Sequence, residues 1–220
     1  VWQQGPVAGA MLGDLGAAVH IADIAAPKEE CASYTPLDLA DPASITAATA
    51  SLRGNGPIDF LMPVAGIPPH TKGPLGCMLV NYAGTRQFTE EMLPALRDGG
   101  SIGLIASVAA RYWQQRLEEN LQIIAIPDFD GVKAFYEANP AVLRDGYSPS
   151  KELLFIWIQQ IAPRLAQERG IRINCTAPCP VDTAFMASAG PVMPKGFLES
   201  YPFPLMGRML GLVDTFDAMS

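Results

Sequence analysis

The chain is poor in charge, in histidine and in cysteine, and each shortage removes a class of function. Charged residues make up 17% of its 220 residues, against 49% hydrophobic ones. That balance excludes compositional disorder and allows a large core. Basic residues are outnumbered, 15 Lys and Arg against 22 Asp and Glu, for a net charge of −7. A nucleic-acid footprint needs a basic face, and an anionic lipid surface attracts basic segments. Neither nucleic acid nor membrane is therefore expected as a partner. Two histidines, His20 and His70, leave a metal site few nitrogen ligands, and no metal is expected. The four cysteines, Cys31, Cys77, Cys175 and Cys179, form no C-x-x-C pair. Reduced, mostly buried thiols in a cytoplasmic protein are preferred over a Cys175–Cys179 bridge. No apolar run approaches the ~18 residues of a membrane span. Val1 to Gly5 has no basic region leading into an apolar one, so no secretory signal is expected.

What is present is an alternation of short apolar strands with helical stretches. Ala8–Leu15 reads as a helix stopped by Gly16, and Ala17–Ile24 as a buried strand ending in an acid. Tyr34–Leu39 is a second strand. Asp41 is placed as a helix N-cap with Pro42 at the first helical position, and that helix runs to about Arg53. Ile58–Val64 is the next strand, followed by a long helix over Leu75–Arg97, a strand over Ser101–Ser107, a helix over Ser148–Arg169 kinked at Pro163, and a strand over Ile171–Cys175. Strands separated by helices of this length imply βαβ units and a parallel sheet in a single α/β domain. Residues 109–146 break the rhythm with two short amphipathic helices joined near Ile126-Pro127, a helical insertion of the kind that forms lids or interfaces.

Four separated features bear on chemistry. Ser107 ends an apolar strand; Tyr147 and Lys151 stand four apart in Y-S-P-S-K; Asn81 lies in V-N-Y-A-G; Asp23 ends the first strand. Ligands of open α/β sheets bind outside the carboxyl ends of the strands. A free tyrosine titrates near pH ~10 and is a poor base at neutrality, but a nearby ammonium favours phenolate. Spacing of four puts Tyr147 and Lys151 on one helix face. A hydroxyl such as that of Ser107 holds a substrate oxygen while the phenol gives or takes its proton. Singly, each feature has an ordinary structural explanation; their order and placement together are specific.

These motifs resemble the short-chain dehydrogenase/reductase family over nearly all of residues 5–186. They are A-A-V-H-I-A-D-I, L-D-L-A-D, V-A-G at 64–66, V-N-Y-A-G, I-A-S, Y-S-P-S-K and R-I-N-C-T-A-P-C-P-V-D-T. The resemblance implies a Rossmann-like, doubly wound parallel sheet and an oxidoreductase. It makes Tyr147 the acid/base, Ser107 the residue that orients the carbonyl, Lys151 the holder of the nicotinamide ribose, and Asn81 a support of the proton relay. It places Asp23 and Ile24 at the adenosine ribose, where an acid favours NAD over NADP. Asp38 and Leu39 flank the adenine, Ala65 and Gly66 allow close backbone approach, and Pro178, Val181 and Thr183 meet the nicotinamide. The expected substrate is a small hydrophobic alcohol or carbonyl compound. Trp113, Phe185, Met186, Phe197 and Tyr201 are candidate pocket walls, with ordinary core packing as the competing reading.

The insertion before Tyr147 resembles that of bacterial 3α-hydroxysteroid dehydrogenase/carbonyl reductase and of coniferyl-alcohol dehydrogenase, where it is associated with the subunit interface. With the broad apolar run Leu153–Ile158, this leads to an expected homodimer or homotetramer. The family's opening strand and T-G-x-x-x-G-I-G turn find only Gly5 as a counterpart. Leu212-Val213-Asp214 is the candidate for the family's last strand. An incomplete chain is the expectation drawn from these departures, and a non-catalytic dinucleotide-sensing or scaffold relative is the competing one.

Overall fold

The structure, a computed structural model, describes residues 4–28, 30–178 and 212–213. It opens with helix α1 (Gln4–Asp14), which ends before Gly16 at φ 85°, and enters strand β1 (His20–Asp23). Strand β2 (Ser33–Pro36) pairs parallel with β1. Helix α2 (Pro42–Arg53) begins as its sequence dictates: the Asp41 carboxylate accepts from Ala43 N–H at 3.0 Å, and Pro42 fills the first turn. Gly54 is the C-cap. Strands β3 (Ile58–Leu61), β4 (Leu96–Ile105) and β5 (Arg172–Thr176) form a second parallel set in that order, with Leu61 beside Ile102 and Ile105 beside Thr176.

The parallel sheet expected from the βαβ rhythm is therefore present, with two differences of detail. Among the described residues β1 pairs only with β2 and β3 only with β4, so the strands form two groups rather than one ladder. Phe60 and Met62 are correspondingly exposed. The two-residue strand β6 (Leu212–Val213) runs antiparallel to β5.

The helix expected over Leu75–Arg97 is a composite. It comprises α3 (Pro69–Met78), a π-helical stretch over Leu79–Gly84, α4 (Thr85–Met92) and a 3₁₀ turn over Leu93–Ala95. Arg97 already belongs to β4, which starts five residues before its expected first residue, Ser101. The Thr85 hydroxyl donates to the Val80 carbonyl five residues back, at 3.0 Å, helping to satisfy the widened turn. Gly84 meets the β2–α2 connection so closely that a Cβ there would stand 2.0 Å from the Leu39 carbonyl oxygen. Helix α8 (Tyr147–Arg169) continues through Pro163.

Between Ser107 and Tyr147 the backbone is helical almost throughout: a 3₁₀ stretch over Val108–Arg116, then α5 (Leu117–Ile124), α6 (Phe129–Ala138) and α7 (Pro140–Leu143). R-Y-W-Q-Q-R is thus 3₁₀ rather than α. The broad apolar run of α8 finds its partners within the chain. Leu153, Leu154, Ile156, Trp157 and Ile158 are all buried, and Phe155 meets Trp113 of the 3₁₀ stretch with ring centroids 5.5 Å apart. Trp113 therefore packs on α8. Burying side chains of this size is worth roughly 1.5–3 kcal/mol each, so the insertion is an integral layer of the core rather than an appendage. No helix among the described residues is long and apolar enough to cross a membrane, and no group of three or more His, Cys, Asp or Glu there could hold a metal ion. Cys31, Cys77 and Cys175 are free thiols, the last two buried.

Candidate active site

Strands β3, β4 and β5 run parallel and place their carboxyl ends on one edge, where Ser107 stands. Ser107 follows β4 in extended conformation and caps the 3₁₀ stretch, its hydroxyl oxygen accepting from Ala109 N–H at 3.2 Å. Beside it, Ala106 N–H donates to the Thr176 carbonyl at 2.8 Å and Val108 N–H to that of Pro178 at 3.3 Å, which draws the end of β5 to Ser107. Tyr147 is the first residue of α8, and the Ser107 hydroxyl lies near enough to its phenol to favour the ionised form. One turn on, the Lys151 ammonium is buried. It donates to the Ile105 carbonyl at 2.8 Å and lies 5.8 Å from the Tyr147 ring centroid. Ser107, Tyr147 and Lys151 thus lie in one cluster, although 44 positions separate the first from the last.

Asn81 stands at the back of this cluster, in the π-helical stretch. Both of its amide protons are engaged: Oδ1 accepts from Ile67 N–H at 2.8 Å, and Nδ2 donates to the Ile67 carbonyl at 2.9 Å and to Cys77 Sγ at 3.1 Å. Asn81 therefore fixes the loop carrying Ala65 and Gly66. Cys77, which the sequence reading treated as a plain buried thiol, is the hinge of this arrangement; its Sγ also donates to the Ile67 carbonyl at 3.3 Å.

The electrostatics follow from burial. Burial pushes the Tyr147 phenol up to about 12; the Ser107 hydroxyl opposes this, while Cys77 and Asp145 add to it. Burial pushes Lys151 down to about 8, against smaller upward pulls from the nearby Cys77 and Cys175 thiols. Those thiols are in turn pushed up, to about 12 and about 11, chiefly by burial. Lys151 therefore imposes a pH-dependent cost. Unfolded, it loses its proton near its ordinary 10.5; folded, it does so near 8. Between these values the unfolded chain binds more protons, so stability rises with pH. Above about 9, where free thiols ionise, Cys77 and Cys175 act in the opposite sense. Thermal melts should accordingly show the melting temperature of the wild type gaining on that of Lys151→Met between pH 8 and pH 9. A constant difference would mean Lys151 is not desolvated.

In the other strand group, Asp23 closes β1. One carboxylate oxygen accepts from Ala25 N–H at 3.0 Å, and the other has no hydrogen-bond partner among the described residues. Asp38 accepts from Ala40 N–H at 2.8 Å and lies 3.6 Å from Lys72 Nζ, a partner the sequence reading did not foresee. Leu39 is buried against Gly84, Ile24 is exposed, and Gly5 stands in the first turn of α1. Val181, Thr183, Phe185, Met186, Phe197 and Tyr201, and with them Cys179, lie outside the described residues.

The residues present fit a nicotinamide dinucleotide. Asp23 offers a free carboxylate oxygen to a pair of vicinal hydroxyls. The Lys151 ammonium keeps two of its three protons beyond the one given to Ile105.

Comparison with known proteins agrees with this geometry. No family model matches the chain. A curated relative, the coniferyl-alcohol dehydrogenase of Pseudomonas sp. (strain HR199 / DSM 7063), is 32% identical over 171 residues, covering 78% of this chain and 66% of that protein. The chain belongs to the short-chain dehydrogenase/reductase family. It spans about two thirds of the length of that relative. Among solved structures, the 3α-hydroxysteroid dehydrogenase from Pseudomonas sp. B-0831 complexed with NADH matches with TM-score 0.68 at 21% identity, covering 90% of this chain and 76% of the other. The RhlG/NADP active-site complex of Pseudomonas aeruginosa matches with TM-score 0.58 at 21% identity, covering 87% and 73%. These two likenesses establish the fold; the neighbours themselves hold different dinucleotides.

Proposed function

We propose that this dehydrogenase-family chain is an NAD(H)-dependent oxidoreductase that interconverts a hydrophobic alcohol and its carbonyl compound, with Tyr147 as acid/base. The observation that carries the reading is the gathering of the Ser107 hydroxyl, the Tyr147 phenol and the buried Lys151 ammonium at the carboxyl end of β4. The dinucleotide, when bound, gives or takes the hydride. Everything else falls to the chain's own side chains. Ser107 holds the substrate oxygen within reach of the phenol. Tyr147, kept protonated by burial, is set to give its proton to a carbonyl oxygen as that oxygen gains charge. In the oxidative direction Tyr147 must first give up its own proton and take the alcohol proton as phenolate, a form that a Lys151 ammonium turned from Ile105 towards the ring would favour. Asn81, through Ile67, fixes the loop against which the dinucleotide would lie.

Asp23 supports NAD over NADP, because a carboxylate at the adenosine ribose repels a phosphate there. The named activities of the relatives suggest coniferyl alcohol and 3α-hydroxysteroids as first substrates to try. A homodimer or homotetramer and a cytoplasmic setting complete the proposal; the reduced thiols suit the latter. The test is steady-state oxidation of both alcohols with NAD and with NADP. The reading expects turnover of at least one of them with NAD preferred, and Asp23→Asn to narrow that preference about tenfold or more, the equivalent of ~1.4 kcal/mol. Equal use of both dinucleotides by the wild type would remove Asp23 from its role.

A further inference from the structure

The segment between the two chemically active hydroxyls begins at Ser107 and ends at Tyr147, and both of its ends are fastened to one buried carboxylate. Glu152 is fully buried on α8, next to Lys151. Arg116, the last residue of the 3₁₀ stretch that leaves Ser107, grips it with two hydrogen bonds: Nε to Oε2 at 2.9 Å and Nη2 to Oε1. Arg144, three residues before Tyr147, reaches the same Oε2 with Nη2 at 3.4 Å. Asn120 Nδ2 of α5 contacts it as well, also at 3.4 Å. One carboxylate therefore collects partners from positions 116 and 120, in the first third of residues 108–146, and from position 144 near its end.

The chain around Arg144 is shaped to deliver Tyr147. Arg144 has φ 51°, the only positive value among the described non-glycine residues. Asp145 accepts from both the backbone N–H and the hydroxyl of Ser148, at 2.9 and 2.8 Å, capping α8. Gly146 follows in the left-handed conformation, pressed against the Pro74 carbonyl. A non-glycine residue is held at positive φ only where its surroundings over-determine it, and the Arg144–Glu152 contact supplies part of that constraint. A buried carboxylate contributes little net stability over an apolar side chain of the same size. What it supplies here is geometry, since a guanidinium fork fixes direction as well as distance.

We infer that Glu152 is a positioning residue: by tying Arg116 and Arg144 to the catalytic helix it sets the approach of Ser107 to Tyr147. It touches neither hydroxyl and acts through the two arginines. The inference deepens the oxidoreductase reading and rests on it for its kinetic consequence, but its structural consequence is measurable without turnover.

The experiment uses the full chain labelled with 3-fluorotyrosine. The ¹⁹F resonance of residue 147 is assigned by its loss in Tyr147→Phe. Glu152→Gln keeps the side-chain volume and removes the charge. Arg144→Gln cuts only the tie on the Tyr147 side, at a half-exposed side chain, and serves if the first variant does not fold. Circular dichroism confirms the fold of each. The expected result is a moved residue-147 resonance, with its titration displaced towards that of free fluorotyrosine as the phenol loses its enclosure. The accompanying expectation is a kcat lowered about tenfold or more, with KM for the dinucleotide changed less than about twofold. A purely structural role would leave both the titration and the kcat/KM split alone. A residue-147 resonance and titration unchanged in the folded variants would overturn the inference, whatever the wild type turns over. A displaced titration in a chain that oxidises no alcohol would uphold the positioning role while removing the oxidoreductase reading.

Discussion

Replacing Tyr147 by Phe should abolish turnover while leaving the fold in place. At the carboxyl end of β4 the phenol brings a transferable proton beside both the Ser107 hydroxyl and the Lys151 ammonium. General acid–base catalysis of this kind is typically worth ~10²–10⁴ in rate, so kcat should fall by at least that lower figure. Dinucleotide binding should persist, because the groups assigned to it, Lys151 and Asp23, stay as they are. Steady-state kinetics with a fluorescence titration of NADH separates the two. The phenyl ring keeps the packing, and the variant's melting curve should lie close to that of the wild type. Retained turnover would show that the proton moves elsewhere, with Lys151 the next group to examine, since burial already pushes it down to about 8.

The second large effect is structural and concerns one atom. Gly146→Ala places a methyl group where there is no room: its Cβ would lie 2.0 Å from the Pro74 carbonyl oxygen and 2.6 Å from the carbonyl carbon. The backbone also stands at φ 70°, where an L-residue costs ~1–2 kcal/mol more than glycine. Relieving the overlap means moving the connection over Lys72–Pro74 or the start of α8, and overpacking of this kind costs ~1–3 kcal/mol. The sum, roughly 2–5 kcal/mol, corresponds to a melting temperature lowered by about 5–15 °C in a chain of this length. Both ways of relieving the clash displace Tyr147 itself, so activity should fall with stability. A melting curve within about two degrees of the wild type would mean that Gly146 and Pro74 are not in contact.

Much of this arrangement is legible in the sequence because it depends on local chemistry. Asp41-Pro42 opens a helix wherever an apolar periodic stretch follows, and Gly54 and Gly170 close helices at their expected places. Tyr147 and Lys151 share a helix face by spacing alone. The parts that were not legible depend on contacts between distant segments. The long helix expected over Leu75–Arg97 ends early because β4 begins at Leu96, which pairs with Ile58 of β3. No residue pattern announces that pairing, since Arg97 is as good a helix former as a strand residue. The π-helical stretch around Asn81 and the close approach of Gly84 to Leu39 are likewise features that no periodicity reports.

At the site, the same division holds. Ser107 and Asn81 were visible as motif residues, but Cys77 looked like an ordinary buried thiol until Asn81 and Ile67 were found on either side of it. Glu152 carries one local sign: a carboxylate set directly before the apolar run Leu153–Ile158 must either face water or find a cation. It finds two, from positions 116 and 144, and neither arginine carries a local mark of that role.

The central claim is that this edge of the sheet takes a nicotinamide dinucleotide and prefers the one without the extra phosphate. The most direct measurement is a fluorescence titration of this 220-residue chain with NADH and with NADPH. Saturable binding of both, with NADH tighter by about tenfold or more and the difference lost in Asp23→Asn, is the result the account predicts. Absence of saturable binding by either dinucleotide would contradict it and leave Ser107, Tyr147 and Lys151 as a cluster without a hydride to serve.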